Sequence, residues 1–176
     1  MQGKSLYMTA IEPPVELAEN IRILQRAFAD NYGFPVALRP PVHITFTPPV
    51  HLNDAELNRY TNRLSETAQQ TRQFEVVLEG FGFFHQARVV YIRVNQQPHL
   101  EEMHQLFTAG LAGDFRQVYR PHITIGYRNI DVETFKKIME DYTGRLYSGS
   151  FVVDNVRLWK HEAGYWNTIA QMNLLS

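Results

Sequence analysis

Apolar and polar positions along this chain follow two rhythms. Ser5 to Ile11 is short and apolar-rich and predicts a first strand, which Pro13-Pro14 ends. Leu17, Ile21, Leu24 and Phe28 then recur at helical spacing, with Ala18 and Ala27 alongside and Gly33 as a stop. A proline-rich approach (Pro35, Pro40, Pro41) leads into a second strand around His43–Phe46. Asn53, with Glu56 three residues on, predicts a capped helix striped by Leu57, Tyr60, Leu64 and Ala68. Strands are predicted over 74–84 and 88–95, joined at His85-Gln86-Ala87. Pro98 opens a third helix, striped by Leu100, Met103, Phe107 and Leu111 and ended by Gly113-Asp114. A strand from about His122 to Tyr127 precedes a fourth helix, capped by Asp131, with Phe135, Ile138, Met139 and Tyr142 inward. The chain closes on a predicted hairpin, 150–159 with 165–174, around His161-Glu162-Ala163-Gly164.

The order is strand, helix, strand, helix, strand, and then much the same again. That predicts an α+β protein, a bilobal duplicated fold. Two antiparallel-rich sheets, flanked by helices, would face a central cleft. The runs are too short and too often hairpin-linked for a doubly wound parallel sheet. No linker stands out over 1–176, so one domain of two pseudo-symmetric lobes is expected.

Composition then removes whole classes. Seventeen basic against 18 acidic residues, net charge -1, argues against a polycationic surface gripping long nucleic acid. A small phosphate pocket needs only a few local donors and is left open. With no cysteine, neither a disulfide framework nor a thiolate zinc site can form. Met1–Thr9 lacks the apolar core of a signal peptide, and no run approaches the length of a membrane span. A cytoplasmic protein without membrane attachment is expected.

Two stretches carry the candidate chemistry. His43-Ile44-Thr45-Phe46 and His122-Ile123-Thr124-Ile125 both read His, apolar, Thr, apolar, each behind an Arg-Pro lead (Arg39-Pro40 and Arg120-Pro121). One copy arises by chance in roughly one chain of this composition in ten, so one alone says little; two, one per half, say much. Residues i and i+2 of a strand share a face. His43 therefore stands with Thr45, and His122 with Thr124, their apolar neighbours behind them. Facing strands would gather two imidazoles and two hydroxyls around one small space. His85, His99, His104 and His161 read as turn or helix-surface residues. No His-Glu-x-x-His pattern exists and no metal site is expected.

These paired motifs resemble the signature of the two-histidine (2H) phosphoesterase superfamily, which includes 2'-5' RNA ligase-like proteins and RNA 2',3'-cyclic phosphodiesterases. Leu6–Pro14 is similar to that family's first strand and turn, and Arg88-Val89-Val90-Tyr91-Ile92 to its strand just past the middle. The resemblance covers essentially the whole chain. It implies metal-independent hydrolysis of a 2',3'-cyclic phosphate, at an RNA end or on a small nucleotide, to a 2'-phosphate. A nuclease or ligase for 2'-5' linkages, and a nucleotide-binding module without turnover, are the alternatives. No cofactor is implied, and a monomer is expected.

By this resemblance His43 is acid to the leaving ribose oxygen and His122 base for water, a role histidine fills near neutral pH. Thr45 and Thr124 would hydrogen-bond the non-bridging phosphate oxygens. Many RNA-acting members carry an arginine shortly after the second motif, and Arg128 is the candidate here, with Arg120 beside it. Tyr91 and Phe46 are candidates for stacking on a base.

Overall fold

The structure is a computed structural model, and it describes residues 3–95, 98–109, 111 and 119–176. Strands are β1 (Ser5–Ile11), β2 (Ile44–Leu52), β3 (Phe74–Phe84), β4 (Val89–Val94), β5 (His122–Gly126), β6 (Ser148–Val153), β7 (Asn155–Glu162) and β8 (Tyr165–Asn173). Helices are α1 (Val15–Tyr32), α2 (Asp54–Ala68), α3 (Pro98–Thr108) and α4 (Val132–Tyr142), with a 3-10 turn over Pro35–Leu38. The predicted stops and caps form as read. Gly33 takes the left-handed conformation (φ 81°) that ends α1. Asn53 and Glu56 exchange both hydrogen bonds of a capping box. The Asp131 carboxylate accepts from the Thr134 backbone N–H. Gly113-Asp114, the expected end of the third helix, lies outside the described residues.

The class is α+β as expected, but two separate sheets are not what forms. One eight-stranded sheet runs β6-β3-β4-β5-β2-β1-β7-β8. It divides naturally into β6-β3-β4-β5 and β2-β1-β7-β8. The seam between these halves is the single register pair Ile44↔Ile123. The two lobes thus share one curled antiparallel sheet because the two histidine strands pair with each other.

The predicted strand over 150–159 also divides. β6 pairs with β3 in one half, whereas β7 pairs with β1 and β8 in the other. The break is exposed Asp154. Buried Phe151, Val153, Val156 and Leu158 put apolar side chains inward on both sides of it. The inward phase slips by one residue at the polar pair Asp154-Asn155, which marks the break locally, but the change of partner is set by the fold.

Alternation sorts the sheet's two faces. Ile11, Ile44, Phe46, Ile92, Ile123 and Ile125 point to the helix-covered side and join α1–α4 in one core. Met8, Ala10 and Trp159 form a separate buried cluster on the other face. Irregular register between β1 and β2 past Phe46 also turns Thr47 inward. There it shares hydrogen bonds with Thr9 (2.5 Å) and Tyr60, so the buried hydroxyls are satisfied.

Candidate active site

The seam gathers the two motifs. Continuing the Ile44↔Ile123 register sets Thr45 across from His122 and His43 across from Thr124. All four side chains are half-buried and lie on the face opposite the helix-packed core. The strands lie side by side rather than facing across a gap, so the quartet forms a square on one surface.

Each imidazole is held the same way. His43 Nδ1–H donates to the Pro41 carbonyl at 2.7 Å, and His122 Nδ1–H to the Arg120 carbonyl at 2.7 Å. A carbonyl oxygen can only accept, so Nδ1 carries the proton in both rings. The neutral rings then keep their lone pairs on Nε2. In both motifs the carbonyl two residues ahead of the histidine, Pro41 or Arg120, fixes its tautomer. Each ring also packs against an aromatic from the strand two places away. Trp159 of β7 meets His43 at 4.9 Å between centroids, and Phe84 of β3 meets His122 at 4.8 Å.

The surroundings depress both histidines. Burial is the main cause for His43, with repulsion from His122 and Arg22 adding to it; the bond to Pro41 opposes them, and the result is about 4. His122 is lowered as well, by burial, against the raising effect of its bond to Arg120. Both shifts favour neutral imidazoles in the free protein at pH 7.

Four side chains that the sequence pattern did not single out build this geometry. Arg22 of α1 donates to the Ala37 and Pro40 carbonyls (3.3 and 2.8 Å), bracing the approach to His43. Buried Gln25 donates to the Thr124 carbonyl at 2.8 Å, and Tyr119 to the Thr45 carbonyl at 3.2 Å. At a seam one register pair long, these two side chains satisfy motif carbonyls that a longer ladder would bond. Trp159 is fully buried, and its indole N–H donates to Glu12 at 3.2 Å. Arg22 sits beside the apolar stripe of α1 like any solvated arginine. Gln25, among apolar α1 neighbours, was the one visible anomaly.

The other candidates divide. Tyr91 is on the site face, across from Thr124 and 5.1 Å from His122 between ring centroids. Phe46 is a correction: its ring is fully buried on the helix side and stacked on Phe107, so no base can reach it. Arg128 is exposed in the loop after β5, its guanidinium 5.8 Å over the Tyr127 ring. Among the described residues no hydrogen bond or ion pair ties it to the quartet. Arg128 and Asn129 both adopt positive φ (67° and 59°), a strained turn for residues other than glycine, leading to the Asp131 cap. His104 is a further correction, since it is buried and stacked on Tyr119 at 4.0 Å. No helix among the described residues is long and apolar enough to cross a membrane.

A two-histidine, two-threonine square on the open face of a curled sheet is the architecture of a phosphoesterase, and comparison with known proteins agrees. The family model of the 2'-5' RNA ligase superfamily matches residues 13–164. The chain belongs to that superfamily, the two-histidine phosphoesterases. A Geobacillus thermodenitrificans protein whose name goes no further than phosphoesterase is 31% identical over 108 residues. That match covers 60% of this chain and 62% of the relative, so it spans less than two thirds of the relative's length. Escherichia coli LigT has a similar structure in its phosphate complex (TM-score 0.68, 17% identity, 99% of each chain). The same holds in its 3'-AMP complex (TM-score 0.69, 18% identity, 99% of each chain).

Proposed function

We propose that this protein is a metal-independent phosphodiesterase that opens a 2',3'-cyclic phosphate, on an RNA end or a small nucleotide, to a 2'-phosphate. The observation that carries the reading is the square of His43, Thr45, His122 and Thr124, with both free Nε2 atoms on one open surface. LigT, with a similar fold, has been crystallised with phosphate and with 3'-AMP, which supports a phosphate-bearing nucleotide as the ligand here.

The reaction needs an acid and a base on opposite sides of phosphorus. Water attacks in line with the departing 3' oxygen. One Nε2 takes the water proton, the O3'–P bond breaks, and the other Nε2–H gives its proton to the ribose oxygen. Thr45 and Thr124 hydroxyls hold the non-bridging oxygens as charge moves onto them. His43 is assigned the acid and His122 the base. A bound phosphate anion lying against the two imidazoles raises their proton affinity when a proton is needed. Arg128 is a supplementary phosphate contact, and Tyr91 a stacking surface for the base. The 2'-5' ligation known in the superfamily's name uses the same groups in reverse.

Hydrolysis of nucleoside 2',3'-cyclic monophosphates in EDTA, with the product read by phosphorus NMR, tests this. His43→Ala and His122→Ala are each expected to lower turnover at least ~100-fold. Near-wild-type turnover in either variant would remove the mechanism, and tight binding of nucleotide without cleavage by the wild type would favour the silent binding module.

A further inference from the structure

The two halves of the sheet are related about the seam, and where they differ the substrate can tell one side from the other. On the His122 side, β4 sets Tyr91 across from Thr124 and Arg93 across from His122, and β3 sets Gly82 across from Tyr91. On the His43 side, β1 sets Ala10 across from Thr45, and β7 sets Arg157 across from Ala10. Continuing the Ile11↔Ile44 register puts Glu12 across from His43. The equivalent positions are thus Tyr91 and Ala10, Arg93 and Glu12, Gly82 and Arg157.

The consequence is a difference in free charge. Arg157 and Glu12 neutralise each other at 2.7 Å. Arg93 has no carboxylate within ion-pair reach among the described residues. Glu79 accepts from Arg93 Nε through its backbone carbonyl at 3.2 Å, while its carboxylate accepts from Asn95 Nδ2 at 2.7 Å. Among the described residues no hydrogen bond uses either Nη group of Arg93.

Strand β3 is cut back to make room for this arm. A Cβ on Gly80 would lie 2.7 Å from Arg93 Nη2, and one on Gly82 would lie 2.6 Å from the Tyr91 ring. Gly80 also has φ +64°, the left-handed conformation at the break in β3–β4 register. The Tyr91 and Arg93 side chains therefore lie flat across β3, leading away from His122. The guanidinium over β3 is two strand spacings, ~10 Å, from β5. A phosphate one nucleotide removed from the reacting one falls within reach of that position.

We propose that Arg93 binds a second phosphate of the substrate, on the 5' side of the nucleoside that carries the reacting phosphate. The protein then selects the end of a phosphorylated chain over an isolated cyclic mononucleotide. This rests on the cyclic phosphodiesterase reading above.

Two substrates that differ by one group decide the matter: a nucleoside 2',3'-cyclic phosphate with and without a 5'-phosphate. In the wild type the 5'-phosphate is expected to raise kcat/KM about tenfold, as a charge-assisted contact would. The gain should shrink as salt is raised. Arg93→Gln should bring the ratio close to one, and Arg93→Lys should restore part of it. A wild-type ratio near one, or a ratio kept in Arg93→Gln, overturns the proposal. A merely structural role for Arg93 would lower both rates together and leave the ratio intact, which also overturns it. If the wild type cleaves neither compound, the phosphodiesterase reading fails by itself. The same ratio is then read calorimetrically, from dissociation constants of a nucleoside 2'-phosphate with and without a 5'-phosphate, and the same two outcomes apply.

Discussion

The sharpest consequence of the site's burial is a pH-dependent stability that belongs to one side chain. In the unfolded chain His43 titrates near 6.5; in the folded protein its pKa is about 4. At pH 7.5 both states hold it neutral and it contributes no pH dependence. Between those two values the unfolded chain binds the extra proton, so folding stability falls as pH falls. Worked through for one site, the loss is about 2 kcal/mol at pH 5 relative to pH 7.5. The perturbation is His43→Asn, which keeps a donor for the Pro41 carbonyl and removes the titration. The variant loses packing against Trp159, and that offset is the same at both pH values. Urea unfolding of wild type and variant at pH 7.5 and pH 5 gives four free energies. The gap between the two proteins should close, or invert, by about 2 kcal/mol on going to pH 5. Groups other than His122, whose charge couples to His43, titrate in both proteins and cancel in the comparison. A His122→Asn background removes the mutual repulsion of the two imidazoles and isolates the part due to burial. A gap equal at both pH values would refute the argument, because it would mean that His43 is solvated and free to carry a proton.

Three further outcomes follow from the geometry. Gly126→Ala places a Cβ 2.0 Å from the ring of fully buried Phe28, so it should destabilise by about 1–3 kcal/mol in thermal or urea unfolding, and Phe28→Leu should restore part of that. Thr45→Val or Thr124→Val removes one donor to the developing charge and should lower kcat by about 100-fold while the folding midpoint moves little; an unchanged kcat would take that threonine out of the mechanism. Asn53→Ala removes the capping box of α2, far from the seam, and should cost about 1 kcal/mol in urea unfolding while kcat/KM stays as in the wild type.

Much of this protein was legible in the sequence because the relevant physics is local. Helical periodicity located α1–α4, and the Gly33 stop, the Asn53–Glu56 box and the Asp131 cap each formed as read. Strand alternation put His43 with Thr45 and His122 with Thr124, since a period of two needs no knowledge of the partner strand. The same rule, applied to Phe46, already placed it on the opposite face from His43, and the stacking role failed for that reason.

What only the tertiary structure decided concerns residues far apart in the chain. No local pattern says that β2 pairs with β5, which turns two lobes into one sheet and a facing cleft into a square on a surface. Nor does it say which partners the run over 150–159 takes on either side of Asp154, although the buried positions slip by one residue there, from Phe151 and Val153 to Val156 and Leu158. Trp159 against His43, Phe84 against His122, Gln25 on Thr124 and Arg22 behind Pro40 are contacts set by sheet order and helix packing. Those contacts set the packing around the imidazoles and the sidedness of the site, while the tautomers are set locally by the Pro41 and Arg120 carbonyls. The sequence picked out the two His-Thr pairs; burial and strand order, which depend on the whole fold, determined how those groups are tuned and on which face of the sheet they meet.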